Sequence, residues 1–69
     1  MIGRTLKNGA VVVDCAPAKN DKYKVIAVRD GAVHKYVVWY VFEEDNELYA
    51  IKGTYCDSYD EAKTAYSGY

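Results

Sequence analysis

The chain has 69 residues, of which 51% are apolar and 28% are charged, and its formal net charge is −1. The apolar content argues against a disordered segment, and the length allows a single small domain, 1–69, with a thin stability margin. The near-zero net charge argues against a general electrostatic attraction to nucleic acid or to a membrane.

The first part of the chain predicts an arm and two strands. Residues 1–8 form the arm, and Asn8-Gly9 signals a turn. The β-branched run at 10–15 predicts the first strand, and Y-K-V-I-A-V-R at 23–29 predicts the second.

The middle of the chain predicts a long hairpin. Asp30-Gly31 indicates a tight turn that leads into a third strand at 33–43. The acidic segment E-E-D-N-E separates it from a fourth strand at 48–55. Gly53 lies inside that strand, which predicts a bulge or a close approach of another group.

The last part of the chain predicts a helix at 58–66. Ser58 and Glu61 fit the S-x-x-E capping box that starts helices. The whole pattern indicates an α+β fold, a four-stranded antiparallel β-meander with a curled sheet and one C-terminal helix packed on one face. A partly closed small barrel is the main alternative.

Strict alternation divides the apolar residues of the last two strands between two faces. On the third strand one face carries Val37, Trp39 and Val41, and the other carries Tyr36, Val38, Tyr40 and Phe42. On the fourth strand one face carries Leu48, Ala50 and Cys56, and the other carries Tyr49, Ile51 and Tyr55. One short helix covers only one face of the sheet, and the alternation of side chains does not indicate which face that is. The other face is expected to serve a protein partner or a homodimer, unless curling of the sheet and the N-terminal arm bury both faces.

The candidate partner-binding residues are aromatic and acidic side chains of the third and fourth strands. They are Tyr36, Tyr40, Tyr49, Glu43, Glu44 and Asp45. Tyrosine offers a large contact area with a polar tip, which suits an interface. Residues 1–35 carry a net charge of +4 and residues 36–69 carry −5. Lysines on strand edges and acids in turns explain this distribution most simply. A dipolar molecule that docks head to tail or on a charged partner is the alternative.

A nucleic-acid-binding module is the alternative function. Lys22, Lys24 and Arg29 lie around the second predicted strand, and Tyr36 could stack on a base. The acidic overall balance weakens this hypothesis, so a protein partner is favoured.

The residues that could carry catalysis are few. His34 is the one histidine, and Cys15 and Cys56 match no zinc or redox spacing. We therefore expect a non-enzymatic protein with no cofactor and no metal. The N-terminal segment lacks the apolar core of a signal peptide, which predicts a cytoplasmic location and reduced cysteines.

Four segments carry a resemblance to a group of known proteins. They are N-G-A-V-V-V at 8–13, K-V-I-A-V-R at 24–29, Y-V-V-W at 36–39 and G-T-Y-C-D-S-Y-D-E-A at 53–62. With these segments the chain resembles small, mostly uncharacterised proteins of bacteriophages and mobile elements. It departs from them at Cys56, where they carry an aromatic residue, and at Tyr66, where phenylalanine is common.

The resemblance implies a biological context and transfers no catalytic residue. Small phage-type proteins often bind a host protein stoichiometrically, and anti-CRISPR proteins and other anti-defence proteins are the prominent group of this size. The resemblance therefore implies an inhibitor of a host defence complex.

Overall fold

Four antiparallel strands form one open sheet, and a helix follows them in the chain. The computed structural model describes residues 1–69. The elements are β1 (Val11–Pro17), β2 (Tyr23–Val28), β3 (Tyr36–Glu44), β4 (Glu47–Cys56) and α1 (Tyr59–Ser67). The strands lie in the order β1-β2-β3-β4, so the predicted α+β meander is confirmed and β1 and β4 are the two edges of the sheet.

The β1–β2 and β3–β4 connections each contain two consecutive residues whose backbone adopts the left-handed conformation. Asn20 and Asp21 have φ of 59° and 60°, and Asp45 and Asn46 have φ of 52° and 65°. Asn and Asp adopt this region more readily than other non-glycine residues. Turns with two such residues match the twist of the flanking strands, so both hairpins close tightly at the same end of the sheet.

The β2–β3 connection differs from its prediction. β2 ends at Val28 and β3 begins at Tyr36, so the tight Asp30-Gly31 turn and a strand start at residue 33 are both wrong. Only Gly31 of this dipeptide has positive φ, at 81°. A two-residue type I′ turn needs two such residues, so the chain forms a longer loop instead.

A β-bulge interrupts the pairing of β3 with β4. The register shifts by one residue between Val38 and Tyr40, so Lys52 and Gly53 both lie opposite Trp39. Lys52 has φ of 55°. The bulge that Gly53 predicts is therefore present, and it changes which face each later residue of β4 occupies.

The face assignments beyond the bulge are consequently reversed. Tyr55 pairs with Val37, and Cys56 pairs with Tyr36. The predictions that Cys56 shares a face with Leu48, and that Tyr55 lies on the opposite face, are wrong. Strict alternation fails there because one extra residue in the strand moves every later side chain to the opposite face of the sheet.

The N-terminal arm covers the Trp39 face of the sheet. The Gly3 N–H donates to the Val12 carbonyl at 2.7 Å, and the Leu6 N–H donates to the Ala10 carbonyl at 2.7 Å. These bonds hold the arm against β1 and place Leu6 over the core. The buried cluster on this face is Leu6, Ala10, Val12, Val25, Ala27, Val37, Trp39, Val41 and Leu48.

Helix α1 covers part of the opposite face. The Ser58 hydroxyl accepts a hydrogen bond from the Glu61 N–H at 3.1 Å, as the capping signal predicts. Ala62 is fully buried. It packs in a second cluster with Ile26, Val38 and Cys56. Buried clusters therefore lie on both faces, as expected from the alternative in which the N-terminal arm helps to cover the sheet.

Replacing Leu6 by alanine should destabilise the fold strongly. Leu6 is only 4% exposed and belongs to the larger core, whereas Ile2 in the same arm is 65% exposed. Leu6→Ala is expected to lower the free energy of unfolding by about 2–5 kcal/mol, and Ile2→Ala by about 0.5 kcal/mol at most. Urea unfolding followed by tryptophan fluorescence measures both. Equal effects would show that the arm does not cover the core.

Gly53 should not tolerate a side chain. A Cβ atom on Gly53 would lie 2.4 Å from Nε1 of Trp39, whereas one on Gly68 would meet nothing closer than 3.5 Å. Gly53→Ala is expected to lower the free energy of unfolding by about 1–3 kcal/mol through overpacking. Gly68→Ala is the control and should change it by about 1 kcal/mol at most. Urea titration compares the two, and a tolerated Gly53→Ala would contradict the indole contact.

Candidate partner-binding surface

An apolar strip extends along the β3–β4 hairpin beyond the area that α1 covers. We call Tyr40, Phe42, Tyr49 and Ile51 the hairpin-end strip. All four are half-buried, and none belongs to either buried cluster. Tyr40 pairs with Ile51, and Phe42 pairs with Tyr49. The rings of Phe42 and Tyr49 stack with centroids 5.4 Å apart, so the strip is a continuous aromatic surface.

The end of this hairpin projects past the neighbouring strand. Val41 is the last residue of β3 that pairs with β2. Beyond it the two strands form a ribbon that ends at the Asp45-Asn46 turn. The exposed acids Glu44 and Asp45 form no ion pair.

The two other acids of the hairpin are held by the N-terminal arm. Arg4 pairs with Glu43 at 3.5 Å, and Lys7 pairs with Glu47 at 2.6 Å. The Tyr49 hydroxyl also donates to Glu47 at 3.1 Å. Lys7 and then Tyr49 lower the pKa of Glu47 by hydrogen bonding to its carboxylate. Part of the charge asymmetry along the chain is thus neutralised inside the molecule, and Glu43 is less available to a partner than Glu44.

The six predicted partner-binding residues do not form one surface. Tyr40, Tyr49, Glu44 and Asp45 lie together at the hairpin end. Glu43 carries the ion pair with the arm. Tyr36 lies at the opposite end of β3, where its ring packs edge-on against Tyr59 with centroids 5.9 Å apart. The sequence does not reveal this separation because Tyr36 and Tyr40 both lie on β3 and share a face, and only the packing of α1 against the sheet distinguishes the two ends of that strand.

The residues of the nucleic-acid hypothesis are also spread out. The Lys24 ammonium donates to the Tyr66 carbonyl at 3.1 Å, so it caps the last turn of α1. Lys22 precedes the start of β2, and Arg29 follows its end. Seven residue steps of extended chain separate them by about 23 Å, and Tyr36 pairs with Val28 at the Arg29 end. These side chains do not build one basic surface.

Three lysines instead surround a groove beside the hairpin-end strip. The groove has a volume of about 200 Å³ and is lined by Lys19, Asn20, Lys22, Tyr40, Ile51 and Lys52. We call it the lysine groove. Sequence patterns do not predict this groove, because Lys52 reaches it through the bulge and Lys19 reaches it through the β1–β2 turn.

The histidine and the two cysteines do not converge. Nδ1 of His34 lies 2.7 Å from a carboxylate oxygen of Asp57 at the surface. Cys15 packs against the cluster on the arm side, whereas Cys56 is part of the cluster under α1. Burial raises the pKa of both thiols, which disfavours the reactive thiolate.

Comparison of this chain with protein-family models, with curated proteins and with solved structures gave no match. The resemblance to phage and mobile-element proteins therefore stays a prediction. The nine residues of α1 are the whole helical content, and no helix has the length and apolarity that a bilayer crossing requires.

Proposed function

We propose that this protein is a non-enzymatic interaction module that binds a partner protein through the end of its β3–β4 hairpin. One observation carries the proposal. A half-buried, largely aromatic strip that lies outside both buried clusters is next to two acids, Glu44 and Asp45, that form no ion pair within the molecule. Protein interfaces commonly combine half-buried aromatic anchors with a polar rim, and this hairpin end has both parts.

The two parts have different roles in the proposed interface. Tyr49 and Phe42 supply rigid apolar area, because their stacked rings are already ordered before binding and lose little entropy. Glu44 and Asp45 lie at the rim, where exposed charges mainly set the association rate and the choice of partner. The proposed partner therefore carries an apolar pocket next to basic side chains.

Removing the hairpin charges or Tyr49 should weaken binding without unfolding the domain. The partner is first captured from a host-cell lysate by tagged wild-type protein and purified, and its binding is then followed by surface plasmon resonance, which measures both the association rate and the affinity. Glu44→Gln with Asp45→Asn should reduce the association rate and the salt dependence of binding, since Asn also tolerates the left-handed backbone at residue 45. Tyr49→Ala should reduce affinity by about tenfold or more.

The matched control changes two acids at the other end of the molecule. Asp60→Asn with Glu61→Gln alters the net charge equally, in the first turn of α1. This variant should bind like the wild type. If it loses as much affinity as the hairpin variants, the effect comes from overall charge and the proposed interface is wrong.

We further propose that the protein acts in the cytoplasm of a host cell as a stoichiometric inhibitor of a defence complex, as anti-CRISPR proteins do. The segments at 8–13, 24–29, 36–39 and 53–62 that resemble phage and mobile-element proteins support this proposal. Expression of the protein in cells with an active CRISPR system should raise the plating efficiency of a targeted phage. The Tyr49→Ala variant should not. Unchanged plating across several defence systems would contradict the inhibitor role.

A further inference from the structure

The lysine groove carries positive charge that nothing in the molecule neutralises. Lys19, Lys22 and Lys52 form no ion pair, unlike Lys7, Lys35 and Lys63. No Asp or Glu side chain lines the groove. Asp21 is in the same turn and lines an adjoining depression that shares Lys22 with the groove, but it forms no ion pair with that lysine. Like charges gathered without a counter-charge raise the local potential, so the groove favours an anionic ligand.

The groove continues along the surface as a channel. A second cavity of about 450 Å³ shares Lys19 and Tyr40 with the first and extends to Tyr69, near the end of α1. Its other walls include Pro17 and Ala18. The rings of Tyr40 and Tyr69 lie with centroids 4.7 Å apart. The channel therefore has basic walls and an apolar, partly aromatic floor.

The bulge in β4 supplies one wall of the groove. Lys52 holds φ of 55°, a backbone conformation that lysine rarely adopts. Bulges often redirect a side chain, and here the redirected residue lines the same groove as Tyr40 and Ile51. Residue 52 therefore combines a strained backbone with a charge that has no ion-pair partner. Residues with strained backbone conformations are enriched at functional sites.

We infer that the lysine groove binds an extended, carboxylate-rich segment of the partner protein. This inference rests on the proposed function and names the chemistry of the partner. Carboxylates would pair with the three lysines, while apolar side chains of the same segment would lie on Tyr40 and Ile51. An extended peptide can do both because its side chains alternate in direction.

The surroundings of the groove favour a peptide over a nucleic acid. The hairpin-end strip leads from the groove towards Glu44, Asp45 and Glu47. A nucleic acid carries a charge at every phosphate, so a strand that followed the strip would meet these acids and be repelled. A peptide can carry acids over the groove and apolar or basic residues over the hairpin end.

The test measures fluorescence anisotropy with a labelled eight-residue peptide of alternating glutamate and leucine. The wild-type protein should bind it, and added salt should weaken the binding. Lys19→Gln, Lys22→Gln and Lys52→Asn combined should weaken it about tenfold or more. Asn at residue 52 keeps the left-handed backbone accessible. Circular dichroism verifies that the variant is folded.

The control variant Arg29→Gln with Lys35→Gln removes two charges at the far end of the sheet and should bind the peptide like the wild type. Equal affinities of the wild type and the triple variant would overturn the inference. Tighter binding of a labelled thymidine octanucleotide than of the peptide would overturn it in favour of nucleic acid. A dimer in light scattering that the triple variant abolishes would show that a second copy occupies the groove.

Failure of this inference is distinguishable from failure of the proposed function. If the peptide does not bind, yet the hairpin variants still lose the captured partner, only the groove assignment is wrong. If the wild-type protein captures no partner, the proposed interaction function itself is wrong, whether or not the labelled peptide binds.

Discussion

The indole of Trp39 lies against the backbone of Gly53, at the point where β4 carries one extra residue. No other residue type leaves room for the ring there, because a Cβ atom would come within 2.4 Å of Nε1. The contact allows Trp39 to be 6% exposed in a sheet that has only a short arm to cover it. The bulge also reverses the side-chain parity of the last part of β4. Cys56 thereby reaches the core under α1, while Leu48 remains in the core under the arm.

The same bulge connects the fold to the proposed binding surface. Two short elements cover a sheet whose strands are apolar on both faces, and each element covers the region that it can reach. The arm closes the Trp39 face, and α1 closes the opposite face only as far as Tyr69. The hairpin-end strip stays outside both buried clusters, and Lys52 of the bulge lines the groove beside it. Apolar patches that a small chain leaves outside its core often mark sites of association, and the proposed interaction through the hairpin end builds on that feature.

The sequence predicted the element order, the sheet topology and the capped helix, because alternation, turn residues and the Ser58 cap act locally. It indicated the bulge through Gly53 but not its effect on Tyr55 and Cys56, which depends on pairing across the sheet. Asp30-Gly31 was misleading because its turn chemistry holds only when both residues adopt positive φ. The lysine groove could not be predicted, since it joins a β-turn and a bulge that lie far apart in the chain.

Nuclear Overhauser effects in the labelled protein test most directly whether the Gly53 bulge reverses the faces of β4. We expect cross-peaks between the Trp39 indole N–H proton and the Gly53 α protons, and between the Cys56 β protons and the Ala62 methyl group. Cross-peaks from Cys56 to Leu6 or Leu48 instead would show continuous alternation along β4. That result would contradict the bulge and the position of Lys52 beside the groove.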